Sequence, residues 1–270
     1  MRIATYNVNG INGRLEGLLA WLAEKQPDVA CLQELKAPDA RFPAAALARA
    51  GYGAIWQGES RWNGVAILAR DAEPIQTRRG LPGDPADTQS RYIEAAVNGV
   101  IVASLYAPNG NPRPGPKFEF KLRWLDRLHA HAAGLLASGH PVVLAGDFNI
   151  IPEPRDVYAP ERWVDDALFH AKVREAYGRL LDQGWTDALR TRFPSQTVYT
   201  FWKYWRDALA RDAGLRIDHL LLSPDLAPRL TDAGVDRAFR AREGASDHAA
   251  VWIELTDKKA RRTKGSPTAT

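Results

Sequence analysis

Eight short apolar runs alternate with polar or helix-forming segments, and this alternation limits the fold more than any other feature of the chain. The runs cover residues 2–6, 29–33, 65–69, 92–97, 100–106, 142–145, 215–222 and 251–255. Their length suits buried strands. The dipeptide Asn98-Gly99 separates two of them and favours a tight hairpin, because both positions of such a turn need a positive φ. The pattern therefore predicts strands, at least two of them antiparallel.

Two segments between these strands have the period of a helix. One apolar stripe recurs every three or four residues after Pro116 and before Gly139. Its members are Phe118, Leu122, Leu125, Leu128, Ala132 and Leu135. A shorter helix is predicted over residues 14–25. Strands that alternate with helices, together with the hairpin, predict an α/β protein with mixed sheets and helices packed outside. Because no linker interrupts the pattern, we expect residues 1–256 to form one domain.

Composition narrows the class of protein. The 270 residues are 45% hydrophobic, which is enough to bury a core and excludes a disordered chain. Cys31 is the only cysteine, so a disulfide-stapled scaffold is excluded as well. No segment approaches the roughly 18 apolar residues of a membrane span, and the N-terminus has no signal-like apolar region. We expect a cytoplasmic protein that has no membrane partner.

The positive charge of the chain is concentrated in residues 257–270. This tail holds five lysines and arginines against Asp257 alone, so it accounts for the whole net charge of +4. The remaining body is formally neutral, and overall basicity is therefore no argument that the body binds DNA. We expect the tail to be disordered and to attract nucleic acid.

Polar residues interrupt the chain where predicted strands end or begin. They are Asn7, Asn9, Glu34, Tyr106, Asp147, Asn149, Asp218, Asp247 and His248. In a mixed sheet the ends of some strands lie beside the starts of their antiparallel neighbours, so these groups could meet on one rim. A single Asp or Asn after a strand is more often a turn or cap residue. It is the repetition at so many strand ends that indicates a functional site.

Four of these residues are acids, and so much like charge in one place is costly unless a cation is present. They are Glu34, Asp147, Asp218 and Asp247. Hard oxygen ligands without a Cys or His cluster favour Mg²⁺, with Mn²⁺ as a possible substitute, over Zn²⁺. One histidine beside them fits metal-assisted hydrolysis of a phosphoester.

The segments that carry these residues resemble a known family. YNVNGI, LQELK, SLYAPNG, GDFNI, GLRIDHLLLS and SDHAAVWIEL occur in the order seen in the exodeoxyribonuclease III branch of the abasic-site endonucleases. This branch belongs to the exonuclease–endonuclease–phosphatase superfamily. The resemblance implies a four-layered α/β sandwich, with two mixed β-sheets packed face to face, flanking helices and the site on one rim.

The resemblance also implies roles for the rim residues. Glu34 resembles the principal metal ligand, with Asn7 assisting, and Asp247 a further ligand or a leaving-group contact. Asp147 resembles the residue that positions or deprotonates the attacking water, and Asn149 the one that fixes its geometry. Tyr106 resembles the phenol that contacts the scissile phosphate. His248 resembles a histidine that its partner, Asp218, holds in one tautomer. Either Asp147 or the His248–Asp218 pair could be the general base.

Substrate contacts are implied on both sides of this rim. Asn9 and Lys36 belong to the matching motifs and are assigned to substrate binding. The segment of residues 200–205, TFWKYW, interleaves aromatic residues with Lys203. It could be core packing or the wall of a pocket for an extruded abasic sugar. By resemblance Phe201, Trp205 and Leu215 are its pocket residues, although some abasic endonucleases have Trp where Leu215 stands.

The predicted function is that of a monomeric, Mg²⁺-dependent DNA-repair phosphodiesterase. It would incise double-stranded DNA 5′ to abasic sites and act on 3′ ends as an exonuclease and end-cleaning enzyme. Two alternatives stay open at this point. One is a phosphatase of the same fold that acts on another phosphoester, such as an inositol phosphate or a sphingolipid, and the other is a non-catalytic DNA-binding module.

Overall fold

Twelve strands form the centre of the computed structural model, which describes residues 1–256. The tail of residues 257–270, predicted to be disordered, lies outside the described residues. In chain order the strands are β1 (Arg2–Asn7), β2 (Val29–Gln33), β3 (Tyr52–Gln57), β4 (Val65–Arg70), β5 (Ile75–Arg79), β6 (Tyr92–Val97), β7 (Val100–Tyr106), β8 (Val142–Asp147), β9 (Thr186–Asp187), β10 (Asp218–Leu222), β11 (Leu230–Val235) and β12 (Val251–Leu255).

The strands divide into two mixed sheets of six. The first sheet has the order β11-β12-β1-β2-β4-β3, and the second has the order β5-β6-β7-β8-β10-β9. Within each sheet one neighbouring pair is parallel, β1 with β2 and β7 with β8, and the other pairs are antiparallel. The predicted hairpin joins β6 to β7. Asn98 and Gly99 have φ values of 50° and 78°, as this turn requires.

Within residues 1–256, six α-helices accompany the sheets. They are α1 (Leu15–Lys25), α2 (Ala44–Arg49), α3 (Pro116–Ala137), α4 (Ala171–Asp182), α5 (Ala188–Arg192) and α6 (Arg237–Arg240). Apolar residues of α1, α2 and α6 pack on the outer face of the first sheet. Those of α3 and α4 pack on the outer face of the second sheet. The result is the predicted four-layered α/β sandwich.

A third core fills the space between the sheets. It takes alternate residues of the central strands, such as Ile3, Cys31, Ile67, Val143 and Leu220, all fully buried. The intervening residues of the same strands belong to the outer cores, because successive side chains of a strand point to opposite faces. Each central strand therefore has one set of residues that faces the other sheet and one set that faces the helices.

The structure corrects the strand expected over residues 215–222, which begins only at Asp218. Leu215 pairs with Phe201 and Val157 in isolated bridges instead, and Arg216 lies in a buried ion-pair cluster. Strands β3, β5, β9 and β11 were not predicted from the sequence. All five residues of β5 are exposed and β9 has only two residues, so neither produces an apolar alternation.

No helix among residues 1–256 combines the length and the apolar character that crossing a membrane would demand.

Candidate active site

The inner-facing positions of the central strands become polar at one edge of the double sheet. Along β1 the residues that face the other sheet are Ile3, Thr5 and Asn7, so the last of them is polar. Along β8 the last residue that faces the other sheet is Asp147. The corresponding inner positions of the neighbouring strands are Gln33, Tyr106 and Asp218. A period of two therefore places these side chains on one rim, between the sheets.

The rim draws on both sheets, and hydrogen bonds join the two just below it. Thr5 Oγ1 and Gln33 Oε1 are 3.1 Å apart, and Gln33 Nε2 donates to Ser104 Oγ of the second sheet at 3.1 Å. All three residues are fully buried. This buried chain fixes the two halves of the rim relative to each other.

Three ionisable side chains meet at the centre of the rim. One ligand atom each from Glu34, Asp147 and His248 lies within 4.8 Å of the others, so this group could hold a metal ion. Asn7 lies between the two acids, where its Nδ2 donates to Glu34 Oε1 at 3.0 Å and to Asp147 Oδ2 at 3.0 Å. Carboxylate oxygens suit a hard divalent cation.

Asp218 binds the imidazole of His248 at Nδ1, on the side away from Asp147. His248 Nδ1 lies 2.8 Å from Asp218 Oδ2, and Thr200 Oγ1 donates to the same oxygen at 2.6 Å. This arrangement leaves Nε2 facing the rim, 3.7 Å from Asp147 Oδ2. The predicted pairing of Asp218 with His248 is present.

The charges of the rim shift the pKa values of both Asp147 and His248 upwards. Burial, assisted by the carboxylates of Asp218 and Glu34, raises the pKa of Asp147 to about 7. Burial alone would lower the pKa of His248, but the charge and hydrogen bond of Asp218 and the charge of Asp147 outweigh it and raise that pKa to about 10. The ring of His248 therefore carries a positive charge between two acids at neutral pH.

Glu34 is held as a carboxylate. Its burial would raise its pKa, yet the hydrogen bonds from Asn7 and Lys36 and the charge of Lys36 outweigh burial and lower it. Lys36 Nζ lies 2.8 Å from Glu34 Oε2 and also donates to Asn9 Oδ1 at 2.5 Å. Asn9 Nδ2 in turn donates to Asp247 Oδ1 at 3.0 Å. Asp247 thus lies at the edge of the rim, on Asn9, and outside the group of three that could hold a metal.

Tyr106 lies on the other side of the central group. Burial raises the pKa of its phenol well above 10, and the charges of Glu34 and Asp147 act in the same direction. The guanidinium carbon of Arg91 lies 4.9 Å from the centre of the Tyr106 ring. The phenol therefore stays protonated and can donate a hydrogen bond to an anion.

Asn149 connects the loops that follow β7 and β8. Its backbone has a φ of 51°, and its backbone N–H donates to Asp147 Oδ1 at 2.9 Å. Its side chain donates to the carbonyl of Ala107 at 3.0 Å and accepts from Asn109 Nδ2 at 3.3 Å. The loop after β8 is thereby fixed with Asp147 facing the rim.

Lys121 holds this loop through hydrogen bonds from α3, and it was not among the predicted site residues. The side chain is fully buried within α3, and its Nζ donates to the carbonyl oxygens of Asn149 at 2.5 Å and Asn109 at 3.1 Å. A lysine on the apolar stripe of a helix was the available signal, since Lys121 lies three residues after Phe118 and four before Leu125. Thr200 was missed as well, because nothing in its sequence surroundings points to Asp218.

The three predicted pocket residues line one groove, at different depths. The Phe201 ring contacts the imidazole, with 4.9 Å between ring centres. Leu215 is buried next to Phe201, and the two residues pair through their backbones. Trp205 lies at the outer edge of the same wall and is 60% exposed.

A buried ion-pair cluster lies under this wall. The Arg216 guanidinium binds Asp156 through two hydrogen bonds of 2.8 and 2.9 Å and donates to Asp187 Oδ2 at 2.7 Å. Burial alone would raise the pKa of Asp187, but Arg216 holds it well below its ordinary range. His219 faces this cluster and the outer core, away from the rim, with its Nε2 3.0 Å from the carbonyl oxygen of Ile150. The cluster fixes the chain immediately before Asp218.

A two-sheet sandwich whose rim brings two carboxylates, a charged imidazole and a protonated phenol to one point defines a phosphoester hydrolase able to use a metal ion. Residues 4–248 match the Endonuclease/Exonuclease/phosphatase family. The chain belongs to this family, so the predicted resemblance and the fold that it implied are confirmed.

Individual relatives agree with this assignment. The chain is 34% identical over 267 residues to exodeoxyribonuclease III of Haemophilus influenzae, covering 94% of this chain and 100% of that protein. An AP endonuclease from Archaeoglobus fulgidus superimposes with a TM-score of 0.91 at 36% identity, over 94% of this chain and 99% of the other. The 3′ phosphatase NExo from Neisseria, bound to a product DNA hairpin, gives a TM-score of 0.92 at 41% identity, over 95% and 99% of the two chains.

Proposed function

We propose that the protein is a Mg²⁺-dependent DNA-repair phosphodiesterase that incises double-stranded DNA 5′ to abasic sites and removes groups from 3′ ends. The observation that carries this proposal is the meeting of Glu34, Asp147 and His248 at the rim, next to the wall formed by Phe201. Similarity to an exodeoxyribonuclease III, an AP endonuclease and a 3′ phosphatase supports the choice of substrate.

In this proposal the metal would be held by Glu34, with Asn7 beside it. The bound ion would polarise the phosphate and offset the negative charge that gathers at the rim. Asp147 would accept the proton of the attacking water, since Asn149 and Asn7 hold both of its oxygens in place. Asp247 would contact the substrate at the edge of the site through Asn9.

His248 and Tyr106 would stabilise the phosphate. The imidazole lies between two acids, 2.8 Å from Asp218 and 3.7 Å from Asp147, which favours its charged form. A charged imidazole and a phenol that donates a hydrogen bond are well suited to the negative charge of the transition state. Phe201 and Leu215 would bound the space for an abasic sugar, which leaves the helix at little energetic cost.

Cleavage of two matched duplexes tests this proposal. One duplex carries a single tetrahydrofuran abasic analogue and the other is intact, and each is incubated with EDTA, with Mg²⁺ or with Mn²⁺. We expect incision 5′ to the analogue only when a metal ion is added, and slower removal of nucleotides from 3′ ends. The Glu34→Gln variant is the matched control, because it keeps the shape of the side chain and removes its charge.

Other outcomes point to the alternatives. Binding of the duplex without cleavage under any metal condition would favour a DNA-binding module. Release of phosphate from small phosphoesters together with inactivity on both duplexes would favour a phosphatase with another substrate. A monomer, to be checked by light scattering, and a cytoplasmic location stay predictions.

A further inference from the structure

A group of exposed and half-buried aromatic and basic side chains lies beyond the Phe201 wall, on the side away from the metal-binding group. We call this surface the aromatic shelf and define it by Tyr158, Trp163, Lys203, Trp205 and Arg211, which line one groove of about 150 Å³. Trp205 and Tyr158 are 60% and 41% exposed. Large exposed aromatic side chains that cluster in one place are typical of a binding surface.

Basic groups of the shelf lie over its rings. Lys203 Nζ is 5.0 Å from the ring centre of Trp163 and 5.8 Å from that of Trp205, and the Arg211 guanidinium carbon is 5.7 Å from that of Tyr158. Within residues 1–256 neither Lys203 nor Arg211 forms an ion pair with a carboxylate. These two cations are therefore available to an anionic partner.

The groove leads towards the reaction site. Leu215 and Phe201 form its inner side, and the Phe201 ring contacts His248 on its other side. A DNA strand whose phosphate lay at His248 would therefore meet the shelf within a short length of backbone.

We infer that the aromatic shelf binds an unpaired stretch of the DNA strand next to the cleaved phosphate. This inference rests on the proposed function, which places DNA at the rim. Exposed rings gain most from stacking on bases that have left a duplex, because paired bases present only their edges to a protein. Cations interleaved with aromatic rings match the alternation of phosphate and base in a single strand. A substrate with a frayed or unpaired flank would thus be bound better than a fully paired one.

Fluorescence anisotropy in EDTA tests the shelf separately from hydrolysis. The probes are a labelled single-stranded oligothymidylate of about 12 nucleotides, within the usual footprint of such surfaces, and a blunt duplex of equal length. The full-length protein is compared with Trp205→Ala, Tyr158→Ala and Trp62→Ala. Trp62 is the matched control, because it is 71% exposed and has Lys36 Nζ 5.8 Å from its ring centre, yet lies outside the shelf.

We expect Trp205→Ala and Tyr158→Ala each to weaken binding of the single strand by about fivefold or more, the effect of losing one stacked base. Binding of the duplex should change less than about twofold, and Trp62→Ala should bind the single strand as the parent does. Equal losses on both probes, or an equal loss from Trp62→Ala, would overturn the assignment. Circular dichroism checks that each variant is folded.

The two proposals fail in different ways. A protein that binds the single strand through the shelf but never cleaves abasic DNA would refute the proposed function alone. A protein that cleaves abasic DNA while both shelf variants keep full affinity for the single strand would refute the shelf alone.

Discussion

Replacing Lys121 by methionine removes a buried amino group and keeps a side chain of similar length. In the parent protein burial lowers the pKa of Lys121 from 10.5 to about 7, although the charges of Asp147 and Asp166 oppose this shift. The folded protein therefore binds fewer protons than the unfolded chain between about pH 7 and pH 10.5. Because the unfolded chain binds more protons there, the free energy of unfolding rises with pH through this window.

The size of the effect follows from that shift. For one group with these two pKa values, linkage gives a rise of about 2–3 kcal/mol in the free energy of unfolding between pH 6 and pH 9. The Lys121→Met variant lacks this contribution, so the parent should become more stable relative to the variant by that amount over the same range. Taking the difference between the two proteins cancels the other groups that titrate.

Urea unfolding of both proteins at pH 6, 7.5 and 9 measures this difference. The variant should also lose kcat on abasic DNA while KM changes little, because the carbonyls of Asn109 and Asn149 lose the amino group that holds their loops. Parallel stability curves for the two proteins would refute the reasoning about pKa. Unchanged kcat would show that Lys121 has no influence on the position of Asp147.

Four further substitutions follow from the structure. Glu34→Gln should weaken metal affinity by roughly tenfold or more, because even the loss of a residue that only hydrogen-bonds to a metal ligand costs that much. Titration of activity against Mg²⁺ measures this loss. Asp218→Asn and His248→Asn should each lower kcat by roughly 10²–10⁴, and the double variant should lose little more than the worse single one. Arg216→Met should cost about 3–5 kcal/mol in urea unfolding, because it leaves Asp187 as a buried acid without its ion-pair partner and leaves Asp156 paired with Arg190 alone.

Each of these predictions has a result that contradicts it. Full activity of Glu34→Gln at low Mg²⁺ would exclude Glu34 as the main ligand. Losses that multiply in the double variant would mean that Asp218 and His248 act independently. If the ion pairs of Arg216 contributed little stability, the free energy of unfolding of Arg216→Met would lie within about 0.5 kcal/mol of that of the unsubstituted protein.

The site residues that could be predicted from the sequence lie on strands or next to their ends. Asn7, Asp147 and Asp218 each interrupt an apolar run, and the two-residue period of a strand already decides which face they share. The family resemblance then assigned their roles. Glu34 and His248 lie just outside strand ends and were found for the same reason.

The residues that the sequence missed act across long separations. Asp156 and Arg216 are 60 positions apart and meet only because the second sheet and its loops are folded. Lys121 could be found from its place on the apolar stripe of α3, but its partners are backbone carbonyls, which carry no sequence signal. The exposed edge strand β5 lacks any apolar pattern, because it buries no side chain.

The division of the rim between two sheets has a consequence for mutational tolerance. A cavity in the core between the sheets, as in Ile67→Ala, would let one half of the rim shift against the other, and displacements of about 1 Å can cost roughly 10²-fold in rate. A similar cavity under α3, as in Leu128→Ala, would lie behind the second sheet and leave the spacing of the halves unchanged. Two substitutions of equal thermodynamic cost would therefore differ in what they do to catalysis, so the layer between the sheets has the least freedom to vary.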